Sequence, residues 1–334
     1  MKGFLARLAD GAILSAAESE ACFGLVMDGA ASAAQIAALI TALRIRGETP
    51  GELRGAVMAA RARMARIAAP EGAIDVCGTG GDGLATLNIS TAVAFVVSAC
   101  GAVVAKHGNT AISSRCGAAD VLRELGVSCA AGEAEARLAR NNLAFLFAPD
   151  FHPALRHAAA ARSELGFRSL FNLIGPAANP AGVRRQLVGV FSPRWMAPMA
   201  ETLGALGAAH VWVVHGGGLD ELSLDGETEV CEWRGETMRR FTVTPEQAGL
   251  PRYPTSAIAG GGPVQNAAAL AALLQGEPGA YRDSVLLNAA AALIVAGLAD
   301  DMAGGAALAR RALDSGAARA RLAAAQAPVA HEEC

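Results

Sequence analysis

The sequence has few aromatic residues, little net charge and no cysteine pair of the C-x-x-C type. Phe, Trp and Tyr make up 4% of its 334 residues, which argues against a surface on which nucleic-acid bases stack. The formal net charge is −3, so nothing predicts nonspecific binding to nucleic acid. The seven cysteines are odd in number and irregularly spaced, which is typical of reduced thiols in a cytosolic protein.

Long apolar runs and leader-like segments are also missing. No apolar run is long enough to demand a membrane span, and no basic segment followed by an apolar one opens the sequence. We therefore expect a cytoplasmic protein without a membrane partner. Hydrophobic residues are nevertheless 53% and charged residues 18%, which allows a sizeable core. The length suits one large α/β domain with a smaller one.

Residues 1–68 carry helix signals and no strand-like alternation. Ser15 and Ser32 each stand three residues before a Glu or Gln, which is the spacing of a capping box. Thr49 precedes a proline that suits the first turn of a third helix. This segment is expected to form a small helical domain, joined by helices from about 155–180.

Strand and helix patterns alternate over residues 69–334, which predicts a large α/β domain with a mainly parallel central sheet flanked by helices. Residues 228–233 and 237–243 flank Arg234-Gly235 and predict an antiparallel hairpin at the sheet edge. The other strands are expected at 73–77, 102–105, 187–191 and 210–214, and the helices at 89–100, 117–126, 133–141, 195–206, 263–275, 283–297 and 303–323.

Four glycines lie within six residues, 78–83, directly after the first of these strands. A strand, a glycine turn and a helix together point backbone N–H groups and a helix N-terminus at an anion. Asn88, Ser90 and Thr91, at the start of the helix, can cap it or hold a ligand oxygen. The segment therefore predicts a phosphate or diphosphate site, with a glycine-rich turn that binds nothing as the alternative.

The two commonest phosphate-binding patterns do not fit this segment. Three of the glycines match the dinucleotide pattern G-x-G-x-x-G, but Lys106 and His107 rather than an acid follow the second predicted strand. A Walker A loop is excluded because no Gly-Lys-Ser/Thr follows. Asp82 would repel a bare diphosphate, and it fits better if it accepts hydrogen bonds from amides or lies near a metal ion.

Three other groups of polar residues are candidates for the same site. Lys106 would add a charge for phosphate, with neutral donors in the loop up to Ser114, unless that loop is merely solvated. Asp220 and Glu221 follow a buried strand and suit Mg²⁺, or they are two solvated acids. Arg162 can bind a carboxylate or phosphate bidentately, or it lies exposed on a helix.

Four motifs in this order resemble the anthranilate phosphoribosyltransferase family, over nearly the whole chain. They are GTGGDG-x-x-T-x-NIST from Gly78, KHGN-x-x-x-SS from Lys106, R-x-x-LG-x-R-x-x-FN-x-x-GP-x-x-NP from Arg162, and GLDE from Gly218. The resemblance implies a homodimeric, Mg²⁺-dependent enzyme of tryptophan biosynthesis. It also implies a fold of the class to which nucleoside phosphorylases belong. Its reaction would transfer the phosphoribosyl group of 5-phosphoribosyl-1-diphosphate to the amine of anthranilate and release diphosphate.

The resemblance also assigns residues to ligands. For 5-phosphoribosyl-1-diphosphate it implies Gly78, Gly81, Asp82, Thr86, Asn88, Ile89, Ser90, Thr91, Lys106, His107, Gly108, Asn109, Ser113, Ser114 and Ala118. For anthranilate it implies Gly78, His107, Asn109, Arg162 and Pro176, and for Mg²⁺ it implies Ser90, Asp220 and Glu221. No catalytic acid or base is assigned: Lys106 and Mg²⁺ would stabilise the departing diphosphate, and an aromatic amine is already neutral near pH 7.

Three positions depart from the family pattern. Thr110 and Arg115 stand where the family usually has Arg and Lys, and Ala118 stands where it usually has Ser. Loss of the Arg is expected to raise KM with a modest effect on kcat. The alternatives left open are a paralog that acts on another aromatic amine or acid, a nucleoside phosphorylase, a non-catalytic paralog that binds phosphoribosyl ligands and a nicotinamide-dependent oxidoreductase.

Overall fold

The computed structural model describes residues 1–80, 83–110 and 116–329. Its strands are β1 (Ile74–Gly78), β2 (Val104–Gly108), β3 (Leu143–Phe147), β4 (Arg185–Gly189), β5 (His210–Gly216), β6 (Thr228–Arg234) and β7 (Thr237–Val243). Its helices are α1 (Lys2–Ala9), α2 (Ala16–Met27), α3 (Ala33–Arg46), α4 (Pro50–Arg61), α5 (Ile89–Ala99), α6 (Ala118–Glu124), α7 (Ala134–Asn141), α8 (Ala148–Phe151), α9 (Ala159–Leu165), α10 (Phe171–Ala177), α11 (Met196–Ala205), α12 (Pro263–Leu274), α13 (Ala280–Ala296), α14 (Met302–Asp314) and α15 (Ala317–Gln326).

The N-terminal helices begin where their capping residues predict. The side chains of Ser15, Ser32 and Thr49 each accept a hydrogen bond from the backbone N–H of the residue three positions later. The side chain of that later residue in turn accepts the backbone N–H of the capping residue. The apolar faces of these helices pack with residues of α9 and α10 in one cluster. Phe23 and Phe171 illustrate that contact, with ring centroids 5.3 Å apart. Within the described ranges, every helix is too short or too polar to span a membrane.

A seven-stranded sheet forms the centre of the α/β part, in the order β3-β2-β1-β4-β5-β6-β7. The first five of these strands pair in parallel, and β6 and β7 add the antiparallel hairpin that the sequence predicts at the edge. One face of the sheet packs on α5 and α13, and the other packs on α11 and the N-terminal helices. The predicted fold class is therefore confirmed. Because the parallel strands share a direction, the loops after them meet at one edge.

Some predicted elements differ from the observed ones. Strand β3 was not predicted, because a five-residue apolar run has no period that separates a strand from a buried helix. The expected helix at 303–323 is two helices, since Gly316 adopts a left-handed φ of 77° between them. The expected strand at 102–105 lies at Val104–Gly108 instead, so Lys106 and His107 belong to the strand and not to the loop after it.

Candidate active site

A cleft of about 210 Å³ opens at the carboxyl ends of β1, β2 and β5. This is where an open parallel sheet places its ligand site. The cleft is lined by Cys77, Gly78, Thr79, Gly80, Ala85, Thr86, Leu87, Asn88, Ile89, Ser90, Thr91, Lys106, His107, Gly108, Asn109, Thr110, Cys116, Gly117, Ala118, Asn172, Asp220 and Glu221.

The glycine turn closes one side of the cleft and is tied to the acids on the other. The Gly80 N–H donates to the Asp220 Oδ2 at 2.6 Å. Thr79 fixes the turn against β4, because its N–H donates to the Gly189 carbonyl at 2.9 Å and its hydroxyl accepts the Phe191 N–H at 3.0 Å. Predicted Gly81 and Asp82 lie outside the described residues.

Two glycines allow the acidic loop to approach the sheet. A Cβ at Gly78 would lie 2.9 Å from the Asp220 Cγ, and a Cβ at Gly189 would overlap the Asp220 carbonyl group. Gly189 requires glycine because the atoms in the way are backbone, whereas a Cβ at Gly78 would displace the Asp220 side chain; neither glycine is needed for a special φ. Asp220 is consequently held directly over the ends of β1 and β4.

Helix α5 presents its N-terminus to the cleft. The Ser90 N–H donates to the Glu221 Oε1 at 3.2 Å, which is a favourable place for an anion because of the helix dipole. Asn88 occupies the N-cap position but makes no side-chain cap. Its Oδ1 instead accepts from the Asn266 Nδ2 at 2.9 Å, and its Nδ2 donates to the Cys116 carbonyl at 3.5 Å. The carboxamide of Asn88 is thus already bonded within the protein.

Lys106 lines the cleft with a buried side chain, and its ammonium donates to the Val76 carbonyl at 2.9 Å. The Asp75 carboxylate lies below it and accepts the His107 N–H at 3.0 Å and the Asn179 Nδ2 at 2.8 Å. Burial raises the pKa of Asp75, an effect that Lys106 and these hydrogen bonds oppose. The sequence reasoning missed Asp75, for which a charged residue inside an apolar strand was the available signal.

A second cavity of about 120 Å³ adjoins the cleft and shares part of its lining. It is lined by Cys77, Gly78, Thr79, His107, Gly108, Asn109, Ala148, His152, Leu155, Arg162, Phe171, Asn172, Gly175 and Pro176. The five residues predicted for anthranilate all belong to it. Asn172 lines both cavities but was given no role from the sequence.

Arg162 brings to the second cavity a positive charge that has no acidic partner among the described residues. Its guanidinium lies 5.3 Å from the Phe171 ring centroid, and no carboxylate among the described residues forms an ion pair with it. Burial lowers the pKa of Arg162. A partly buried arginine without an acid is suited to the carboxylate of a ligand, which it can bind through two parallel hydrogen bonds.

Two histidines line the same cavity as this arginine, with ring centroids 5.0 Å apart. The His107 Nδ1 lies 3.1 Å from the Gly175 carbonyl, which fixes Nδ1 as the protonated nitrogen of a neutral ring. Burial, with a smaller contribution from His152, lowers the pKa of His107 to about 3. Burial lowers the pKa of His152 to about 4. Neither ring is charged near pH 7, so His107 is a poor candidate for a general base there.

Known proteins that resemble this chain fall into one enzyme family. Residues 70–319 match the family model described as "Glycosyl transferase family, a/b domain", and residues 2–64 match "Glycosyl transferase family, helical bundle domain". An anthranilate phosphoribosyltransferase from Paramagnetospirillum magneticum is 53% identical over 325 residues, which cover 96% of this chain and 94% of that protein. The chain belongs to the anthranilate phosphoribosyltransferase family.

Solved structures of the family superpose on nearly the whole chain. Anthranilate phosphoribosyltransferase from Thermus thermophilus matches with a TM-score of 0.91 and 42% identity, over 97% of this chain and 99% of that one. The Saccharomyces cerevisiae enzyme in complex with PRPP and Mg matches with a TM-score of 0.85 and 26% identity, over 93% and 92%.

The residues that the family motifs assign lie together wherever the structure describes them. Each such residue lines the cleft, the second cavity or both, and Gly81, Asp82, Ser113 and Ser114 lie outside the described residues. Of the departures from the family pattern, Arg115 is also outside them. Thr110 donates its N–H to the Asn109 Oδ1 at 2.8 Å. Ala118 lies 3.3 Å from where a Cβ of Gly108 would be.

The acids of the cleft are suited to Mg²⁺. Among the described residues, no group of three His, Cys, Asp or Glu side chains is placed to enclose a metal. Mg²⁺ usually takes only one or two carboxylates and completes its shell with water and substrate phosphates. Asp220 and Glu221 line the same cleft as the N-terminus of α5, so a diphosphate there would lie beside both carboxylates.

Proposed function

We propose that this protein transfers the phosphoribosyl group of 5-phosphoribosyl-1-diphosphate to the amine of anthranilate, in tryptophan biosynthesis. One observation carries the proposal: two cavities of different chemistry share the wall formed by Gly78, His107 and Asn109. The cleft offers backbone N–H groups, a lysine and two acids. The second cavity offers apolar walls and an arginine without an acidic partner among the described residues, which suit an aromatic carboxylate.

The first cavity would bind the diphosphate substrate. Lys106 has two N–H groups left after its bond to Val76, and the first turn of α5 adds donors for phosphate oxygens. Asp220 and Glu221, with Ser90, would hold Mg²⁺. When bound, Mg²⁺ neutralises charge on the diphosphate and makes it a better leaving group. Asp82 and the serines at 113 and 114 belong to the proposed site on the sequence pattern alone.

The second cavity would orient the amine. Arg162 would bind the carboxylate of anthranilate, and Asn109 and Pro176 would flank its ring. This places the amine next to the wall that the two cavities share, where it can approach C1′ of the ribose from the side opposite the diphosphate. The neutral amine needs no strong base, which agrees with uncharged His107 and His152. The residues therefore bind, orient and stabilise an anion.

Anthranilate fluorescence tests the proposed reaction. The fluorescence should decay only when protein, 5-phosphoribosyl-1-diphosphate and Mg²⁺ are all present, and EDTA should stop the decay. A nucleoside with inorganic phosphate serves as the control for phosphorylase activity. Persistent fluorescence with folded protein would contradict anthranilate as the substrate, and the same assay with other aromatic amines would then follow.

We also propose the domain limits 1–68 and 69–334, a homodimeric state and a cytoplasmic location. The contacts of α9 with α3 and of α10 with α4 support a helical domain that includes these two helices. None of the described cysteines forms a disulfide bond, as in a reducing compartment. Sedimentation velocity tests the dimer. Small-angle scattering with and without both substrates tests closure of the helical domain, and an unchanged radius of gyration would count against closure.

A further inference from the structure

Asn288 of α13 holds the backbone directly after the two acids. The Leu222 N–H donates to the Asn288 Oδ1 at 2.9 Å, and the Asn288 Nδ2 donates to the Leu222 carbonyl at 3.0 Å. The same Nδ2 also donates to the Ser284 carbonyl at 2.9 Å, one helical turn earlier. Asn288 is 1% exposed, so its carboxamide has no competing water. It fixes both polar groups of the residue next to Glu221.

Tyr281 of the same helix holds the other side of the cleft. Its hydroxyl donates to the carbonyl of Asn88, the N-cap residue of α5, at 3.0 Å. Two residues on, the Ser90 N–H donates to Glu221 at 3.2 Å. A closed ring of contacts therefore runs from α13 through the start of α5 to Glu221, and returns through Leu222 to α13.

Helix α13 is rigid enough to set distances in this ring. Twelve of its seventeen residues are buried. Helix α14 packs so closely that a Cβ at Gly305 would lie 2.8 Å from the Ala290 Cα. Tyr281 and Asn288 are seven residues apart, so they lie on one face at a separation of about 10.5 Å along the axis.

We propose that Tyr281 and Asn288 are positioning residues that set the spacing between the N-terminus of α5 and the Asp220-Glu221 pair. That spacing decides how a diphosphate and Mg²⁺ fit between them, and this inference rests on the proposed function. Neither side chain lines the cleft, so both act through other residues. Residues that orient metal ligands are typically worth about 10–100-fold in metal affinity or activity.

Calorimetry in the absence of anthranilate tests the inference without turnover. The affinity for 5-phosphoribosyl-1-diphosphate is measured over a series of Mg²⁺ concentrations. For Asn288→Ala, the Mg²⁺ concentration at half-maximal affinity should rise about tenfold, the lower end of that range. Tyr281→Phe removes one hydroxyl and keeps the packing, and it should shift the value about fivefold in the same direction. The KM for anthranilate should stay within about twofold in both variants, because Arg162 is untouched.

Asn141→Ala is the matched control. It deletes an amide that donates to the Ala324 carbonyl at 3.3 Å, at the sheet edge opposite the cleft. It should lower thermal stability and leave the Mg²⁺ dependence unchanged. The inference would be overturned if both test variants fold and need the same Mg²⁺ concentration for half-maximal affinity as the wild type. It would also be overturned if this concentration rises as much in the control as in the test variants. If Asn288→Ala does not fold, Tyr281→Phe decides alone. Mg²⁺-independent binding by the wild type would instead refute the metal site of the proposed function, and the inference with it.

Discussion

Replacing Gly189 with alanine should disable the site although it removes no side chain that is proposed to bind substrate or Mg²⁺. Gly189 ends β4 beneath the loop that carries Asp220. A Cβ added there would overlap the Asp220 carbonyl carbon and oxygen and lie 3.0 Å from its Cα. Backbone atoms cannot swing aside as a flexible side chain does, so the loop itself must move by roughly an ångström or more.

The cost can be worked out in two parts. Overpacking of this kind typically destabilises a protein by about 1–3 kcal/mol, which should lower Tm by a few degrees. A misplacement of about 1 Å in a catalytic site can cost about 100-fold in rate. We therefore expect kcat/KM for Gly189→Ala to fall about 100-fold, measured by the decay of anthranilate fluorescence, while the protein stays folded by circular dichroism.

Gly226→Ala is the matched control. Gly226 lies with Asp220 in the connection between β5 and β6, and a Cβ at Gly226 meets nothing within 4 Å. Its kcat/KM should remain within about twofold of wild type, since small changes in open space rarely exceed about 0.5 kcal/mol. The reasoning would be refuted by a folded Gly189→Ala protein whose activity matches that of Gly226→Ala. The activity would then not depend on the close packing of the Asp220 backbone against the end of β4.

Three further predictions concern the second cavity and the loop beside it. Arg162→Lys should raise the KM for anthranilate about 10–100-fold, because it keeps the charge and loses the bidentate geometry, and steady-state kinetics with each substrate varied in turn will show whether the change is confined to anthranilate. The lowered pKa values of His107 and His152 mean that the unfolded chain binds more protons between about pH 4 and 6.5. The free energy of unfolding should therefore drop by about 1.6 kcal/mol per histidine from pH 6.5 to 5, and urea denaturation of His152→Asn should show a smaller drop than wild type. Thr110→Arg, which restores the usual family residue, should lower KM with little change in kcat, and an unchanged KM for both substrates would contradict this.

The fold could be predicted from the sequence because its signals are local. Capping residues mark the N-terminal helices, and alternation of strand and helix patterns implies the parallel sheet. Strand β3 escaped because its apolar run is too short to show a period. The prediction that Lys106 follows the strand was wrong for a different reason, because a charged residue usually ends a strand. Only the tertiary structure shows that a hydrogen bond to the Val76 carbonyl compensates the burial of Lys106 within β2.

The candidate site shows the same division. Motifs point to residues whose chemistry suits a ligand, such as Arg162 and Asp220, since the charge of those side chains is visible in the sequence. Motifs do not identify residues whose only contacts are with other parts of the protein. Asn288 bonds to a backbone 66 positions away, and Gly189 is required by a carbonyl of another loop. Such partners follow from packing, which a single sequence does not reveal.

The buried charged side chains of this site differ in whether the protein itself supplies their hydrogen-bond partners. Strands β1 and β2 pair in register only at Ile74 and Val104, and beyond that point the side chains of Asp75 and Lys106 take over hydrogen bonds that a backbone ladder would make. The backbone pairing is thus confined to the amino ends of these two strands, and the buried carboxylate and ammonium connect the strands between that point and the cleft. Arg162 has no such partner among the described residues. Its burial is compensated only when an anion arrives, so of the cations named here it should discriminate most strongly between a carboxylate ligand and a neutral one.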